Sequence, residues 1–118
     1  MNKTLFPIIL GGGGDSSSLK QTVLNDGDAT YSTTSADAGT IIVVPDTITQ
    51  NVTITIDGLN NNEVVYYLLR SSTYFITFVS NQGILLSNNS KTKLTKQHTM
   101  VAAWFDGTNV TLVGKISA

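Results

Sequence analysis

Short apolar runs alternate with turn residues along most of this chain, at intervals of about ten residues. The clearest run is 52–56, where valine and isoleucine alternate with threonine. A period of two places alternate side chains on the two faces of a β-strand. Similar runs occupy 41–44, 64–69, 74–79, 84–86, 100–105 and 110–116, and residues 92–95 are a candidate for a short edge strand flanked by lysines. The pattern predicts about eight strands and no helix, and therefore an all-β fold.

We expect the strands to form a single antiparallel β-sandwich over residues 36–118, of which a jelly roll is one form. Trp104 is assigned to its core because it shares a strand face with Met100 and Ala102, and large aromatic side chains are mostly buried. The predicted core consists of Val52, Ile54, Ile56, Ile76, Phe78, Trp104 and Leu112. The sequence shows no internal repeat of the length expected for a solenoid.

Residues 1–35 differ from the rest, because they hold one short apolar patch within a polar, glycine-rich stretch. Four consecutive glycines, 11–14, cannot hold a fixed backbone by themselves. We interpret residues 1–35 as a flexible N-terminal arm that carries an apolar attachment peptide on a glycine tether. The attachment peptide consists of Leu5, Phe6, Ile8, Ile9 and Leu10. The alternative is that this peptide adds an edge strand to its own domain.

Several predicted strands are apolar at consecutive positions, notably 64–69 and 104–105. Both faces of such a strand need cover, and only 13% of the chain is charged and able to solvate an open face. We therefore expect a homo-oligomer, with Tyr66, Tyr67 and Phe105 as possible contacts between copies. The alternative is that the N-terminal arm covers the far side of the sheet.

The amino-acid composition of the chain excludes several classes of function. The chain has 118 residues, which is enough for one domain, and a net charge of -1, which provides no basic surface for nucleic acid. It has no cysteine, so disulfides and thiolate metal sites are excluded. No run approaches the roughly 20 apolar residues of a membrane span, and the N-terminal patch is too short for a signal peptide. We expect neither a nucleic-acid nor a membrane partner.

The residues offer little for catalysis. His98 is the single histidine, and neither a nucleophile motif nor metal-ligand spacing accompanies it. Asp46, Asp57 and Asp106 stand beside proline or glycine, where aspartate is most often a turn former. The glycines at 11–14 are not followed by the Gly-Lys-Ser/Thr of a phosphate-binding loop. We expect no enzyme activity, no cofactor and no metal.

The C-terminal run carries a recognisable motif. Asp106, Gly107, Thr108 and Asn109 form a predicted hairpin turn between an aromatic strand and a final strand of sequence VTLVG. Residues 103–114 thereby resemble the end of small phage virion domains found in tail fibres, head fibres and capsid decoration proteins. Residues 40–45 and 52–56 are similar to the opening strands of such domains, so the resemblance covers about 30–118. One departure is Val110, because these domains commonly place Trp or Tyr after the asparagine.

The resemblance implies a non-enzymatic structural protein located in the virion. The first expectation is a head-associated decoration or head-fibre protein, attached through its N-terminal arm to other virion proteins such as capsid or portal. The resemblance also implies that the homo-oligomer is a trimer. The alternative function is a carbohydrate-binding or host-receptor-binding tip domain of a tail fibre, whose partner is a host surface glycan.

Overall fold

The computed structural model describes residues 19–117, in which ten strands are joined by turns and two single-turn 3-10 helices, Ser35–Asp37 and Asn88–Ser90. The all-β prediction is confirmed. The strands are β1 Gln21–Val23, β2 Thr30–Thr33, β3 Ile41–Val44, β4 Val52–Ile56, β5 Glu63–Leu69, β6 Ile76–Ser80, β7 Leu85–Leu86, β8 Lys93–Leu94, β9 Thr99–Phe105 and β10 Val110–Gly114.

The strands form two sheets, and from β1 to β9 the chain alternates between them. The six-stranded sheet has the order β1-β3-β5-β9-β10-β7, and the four-stranded sheet has the order β2-β4-β6-β8. Each of the first strands pairs in parallel with the next strand but one along the chain. Gln21 lies opposite Ile41, and Ile41 lies opposite Tyr66, so one coil takes between 20 and 25 residues. This arrangement is solenoid-like.

The second half of the described chain closes the coils with antiparallel strands. The long strand β9 lies between β5 and β10 and is antiparallel to both. In the other sheet, β8 is antiparallel to β6. The short strand β7 returns to parallel pairing on the outer edge of β10.

The predicted antiparallel pairing is therefore wrong for much of the molecule. Within residues 19–117, five of the eight strand ladders are parallel, which a jelly roll of antiparallel strands does not accommodate. A period of two specifies which side chains face the core and leaves the strand direction open. The coils also differ in sequence, so a search for a repeat misses them.

The predicted boundary at residue 35 is also wrong for the described part of the arm. Residues 21–23 and 30–33 form β1 and β2, which pair with β3 and β4. Their polar side chains indicated an arm. Strand pairing, however, is made by backbone N–H and C=O groups, so polar side chains on the outer face do not prevent it. The attachment peptide and glycines 11–14 lie outside the described residues.

One core lies between the two sheets. The predicted core residues Val52, Ile54, Ile56, Ile76, Phe78 and Leu112 are all buried there. The rings of Tyr67, on β5, and Phe78, on β6, meet edge to face with centroids 5.1 Å apart, which joins the sheets across the core. The prediction for Trp104 is wrong, because its side chain is 42% exposed. Trp104 does share a strand face with Met100 and Ala102, but the core is filled from the opposite face of β9 by Val101 and Ala103.

Candidate interaction surface

The outer face of the four-stranded sheet is polar and suited to water. Threonines at equivalent positions of successive coils lie side by side, with Thr30 opposite Thr53 and Thr53 opposite Thr77. Burial alternates along β4 and β6, so these hydroxyl side chains point away from the core. The outward side chains of this sheet are Thr30, Ser32, Thr53, Thr55, Thr77, Val79 and Lys93.

The outer face of the six-stranded sheet is apolar. Its outward side chains are Gln21, Val23, Ile41, Val43, Val64, Tyr66, Leu68, Leu86, Met100, Ala102, Trp104, Thr111 and Val113. We call this set the apolar face. Among these described side chains the polar groups are those of Gln21 and Thr111, the Tyr66 hydroxyl and the Trp104 indole N–H, and none carries a charge. The two sheets of one molecule thus present opposite chemistries to their surroundings.

Strand register makes the apolar face continuous. One row across the sheet contains Leu86, Thr111, Trp104 and Val64. The next row contains Val113, Ala102, Tyr66, Ile41 and Gln21. The third contains Met100, Leu68, Val43 and Val23. Side chains opposite one another on neighbouring strands are in contact range, so the rows merge into one patch.

Several members of the apolar face remain open to solvent. Val113 is 62% exposed, Val23 is 53% exposed, and Leu86 and Trp104 are similarly open. Single exposed apolar side chains are ordinary, but a contiguous apolar patch across a whole sheet marks an interaction site in a soluble monomer. Trp104, the single tryptophan of the chain, also offers a flat ring on which a sugar could stack.

The structure separates the three predicted contact residues. Tyr66 is half-buried on the apolar face. Tyr67, its neighbour, points into the core, where its hydroxyl lies 2.7 Å from Thr33 Oγ1. Phe105 is partly buried and packs against the core. Tyr67 is therefore wrong as a contact between copies, because adjacent positions of a strand alternate between the core and the outside. Phe105, whose side chain is on the core side but partly exposed, stays a prediction.

The predicted turn residues, 106–109, are hydrogen-bonded to one another and to the start of the segment that forms β7. They join β9 to β10, and Asp106 Oδ1 accepts hydrogen bonds from the backbone N–H groups of Thr108 and Asn109, each at 2.8 Å. These bonds, with that of Asn109 the larger cause, lower the pKa of Asp106. Gly107 adopts a φ of 101°, in the region that favours glycine. Asn109 Oδ1 accepts the N–H of Ile84 at 3.0 Å, which ties the turn to the start of β7.

A polar network that sequence reasoning missed lies at the β2 end of the core. The Tyr31 hydroxyl donates to the Asp37 carboxylate at 3.0 Å, and Asp37 also accepts the backbone N–H of Thr34 at 3.1 Å. Burial, followed by the hydrogen bond and charge of Asp37, raises the pKa of Tyr31 to about 12. The spacing Thr34-x-x-Asp37 is a capping-box signal that could have located this network. Its groups bond to one another, which gives the network a structural role.

His98 lies in the turn before β9. It is exposed, has a φ of 62°, and donates its backbone N–H to the Leu69 carbonyl at 2.7 Å. Its Nδ1 atom lies 3.4 Å from Arg70 Nη1. Residues 19–117 bring no three histidine, aspartate or glutamate side chains together as a metal site. No helix in the same range has the length and apolar content needed to cross a membrane.

The chain was also compared with known proteins. No protein-family model matches it. No curated protein matches it either. The apolar face is the structural feature of the described residues that indicates a function.

Proposed function

We propose that this chain is a non-enzymatic structural protein of a phage virion, of the head-associated decoration or head-fibre type. It works through surfaces, and Leu5, Phe6, Ile8, Ile9 and Leu10 attach it to another virion protein such as capsid or portal. The single observation that carries the proposal is the apolar face, because a protein with an uncharged, partly exposed sheet face is built to be covered by protein. The resemblance of residues 103–114 to virion domains supports the same assignment.

In this proposal the two sheets and the core between them form a sandwich-like body that is attached to the particle. Leu19 is the first described residue and lies two residues before β1, an edge strand of the six-stranded sheet. Burying several large apolar side chains supplies several kcal/mol before ordering costs, and this gain is multiplied over many copies.

Particle incorporation tests the attachment. Particles assembled with a variant lacking residues 2–14 should contain none of this chain, although the variant keeps the native β-sheet circular dichroism. A length-matched variant, in which serine replaces the five apolar attachment residues, should fail in the same way. Replacing only glycines 11–14 with serine is the control and should leave incorporation unchanged. Normal incorporation of the serine-substituted peptide would disprove the attachment role.

The second candidate function is a carbohydrate-binding or receptor-binding tip of a tail fibre. Exposure of the Trp104 ring favours it, since stacking on a sugar needs an accessible aromatic face. Binding of host surface glycans to an array, lost in Trp104→Ala and kept in Val79→Ala, would support this function over the first. A chain that binds no glycan on the array argues against the tail-fibre tip.

A further inference from the structure

We propose that the apolar face is the surface through which copies of this chain associate with one another. This inference concerns a different surface from the attachment peptide, so it stands or falls separately from attachment to a particle. Its starting point is the contrast within one molecule. The four-stranded sheet presents threonine, serine and lysine to water with Val79 as its one apolar member, whereas the six-stranded sheet presents mainly valine, isoleucine, leucine and tryptophan.

The absence of charge from the described apolar face makes a second copy a suitable occupant. A surface that packs on its own duplicate places each group near an equivalent group, so any charge would tend to meet its like. The outward side chains of β1, β3, β5, β7, β9 and β10 include no acid or base. Face-to-face contact therefore desolvates no ion and creates no repulsion between equal charges.

The size of the apolar face also fits association. Six strands spaced by about 4.8 Å span roughly 25 Å, and the three rows of side chains extend about 15 Å along the strands. The patch thus covers roughly 400 Å² in projection. A standard specific interface takes about 800 Å² from each partner, and weak, reversible interfaces take less. Contact between apolar faces therefore has the size of a small, reversible interface.

The relief of the apolar face suits self-contact as well. Trp104 carries the largest side chain on this face, and Ala102, two positions before it on β9, carries the smallest. Val113 lies opposite Ala102, on β10, and is the most exposed of the large apolar side chains on the face. A bulky and a small side chain on the same face allow each copy to place its tryptophan over the alanine region of the other.

Light scattering coupled to size exclusion tests the proposal with the full chain. The wild-type protein should have a mass that is a multiple of 12.6 kDa at micromolar concentration. Val113→Glu should be monomeric, because it places a charge in the contact. Val79→Glu is the matched control, since Val79 is 41% exposed on the outer face of the other sheet, and it should keep the wild-type mass. Val23→Glu, at the other side of the apolar face, should repeat the effect of Val113→Glu.

Tryptophan fluorescence gives an independent readout of the same contact. Trp104 is the single tryptophan, so its emission should shift to the red as the wild-type protein is diluted and the face becomes hydrated. A wild-type monomer, or an oligomer that Val113→Glu leaves intact, overturns the proposal. A wild-type monomer that associates only after deletion of residues 2–14 also overturns it, because the N-terminal arm is then the occupant. A dimer that Val113→Glu dissociates supports it and removes the threefold assignment, whereas a trimer overturns it, because a threefold ring cannot be built from face-to-face contact of two equivalent faces.

Discussion

At the scale of single residues, the polar end of the core is the clearest departure from an apolar interior. The Tyr67 hydroxyl is buried and bonds to Thr33, and the Tyr31 hydroxyl is partly buried and bonds to Asp37. A buried hydroxyl with a partner costs little, whereas one left without a partner costs its full desolvation energy. These bonds fasten β2 and the turn after it to the inner face of β5.

The Tyr31 hydroxyl makes stability sensitive to high pH. Its pKa is raised to about 12 in the folded state, against 10.0 for an ordinary tyrosine, so its contribution is complete below pH 10 and is lost as the pH rises towards 12. Urea unfolding from pH 8 to pH 12 should show a smaller decline in stability for Tyr31→Phe than for the wild type. An equal decline in both proteins would remove Tyr31 as the cause. Asp37→Asn, which removes the neighbouring charge, should give an intermediate slope.

At the scale of elements, the turn between β9 and β10 packs closely against the loop that precedes β7. A Cβ atom on Gly83 would lie 1.9 Å from the Thr108 carbonyl oxygen, and Gly83 has a φ of 85°. A Cβ atom on Gly107 would lie 3.1 Å from Asn61 Oδ1, the end of a side chain that can move. Gly83 is therefore required both by the close carbonyl and by its positive φ. Gly107 is required mainly by its φ of 101°.

These contacts predict a ranked series of glycine variants. Gly83→Ala should lose the most stability, on the order of 2–3 kcal/mol, because the backbone itself must move. Gly107→Ala should lose about 1 kcal/mol through its positive φ. Gly27→Ala is the control, since a Cβ atom there meets nothing within 4 Å, and it should change little. Urea midpoints of the three variants measure the order, and a Gly83→Ala protein as stable as Gly27→Ala would contradict the assigned contact.

The elements also show what the sequence could and could not predict. In β4, threonine separates the apolar residues, so the inward set Val52, Ile54 and Ile56 follows from the pattern alone. In β9, both faces are apolar, so the pattern identifies the strand but does not say whether Ala103 or Trp104 faces inward. Parallel pairing was unpredictable for another reason. Crossing through the other sheet leads to the parallel pair β4 and β6 but also to the antiparallel pair β6 and β8, so neither the strand pattern nor the turn residues specify strand direction.

The candidate surface was predictable in kind and not in detail. Consecutive apolar residues in 64–69 indicated that a second face needs cover, and Val64, Tyr66 and Leu68 do point away from the core. The extent of the apolar face depends on bringing β1, β3, β5, β9 and β10 side by side. These strands are distant along the chain, and only the coil and its closing strands define which of them are neighbours.

At the scale of the whole molecule, association through the apolar face ties stability to protein concentration. A contact made by folded copies and lost on unfolding raises the thermal midpoint as the concentration rises. The midpoint of the wild type should therefore increase between 1 and 100 micromolar, while that of Val113→Glu should stay constant. Scanning calorimetry over this range, with Val79→Glu following the wild type, makes the comparison. A concentration-independent wild-type midpoint would count against self-association.

The parallel coil has a consequence for how the molecule can change length. Each coil of 20 to 25 residues adds one strand to each sheet, and a strand advances a sheet by about 4.8 Å. Duplicating one coil would lengthen the body by a fixed step while leaving the closing strands β9 and β10 unaltered. The polar side would gain another pair of hydroxyl positions, and the apolar side would gain one more strip for contact. The length of the body and the area of its apolar face would therefore increase together, by one strand for each added coil.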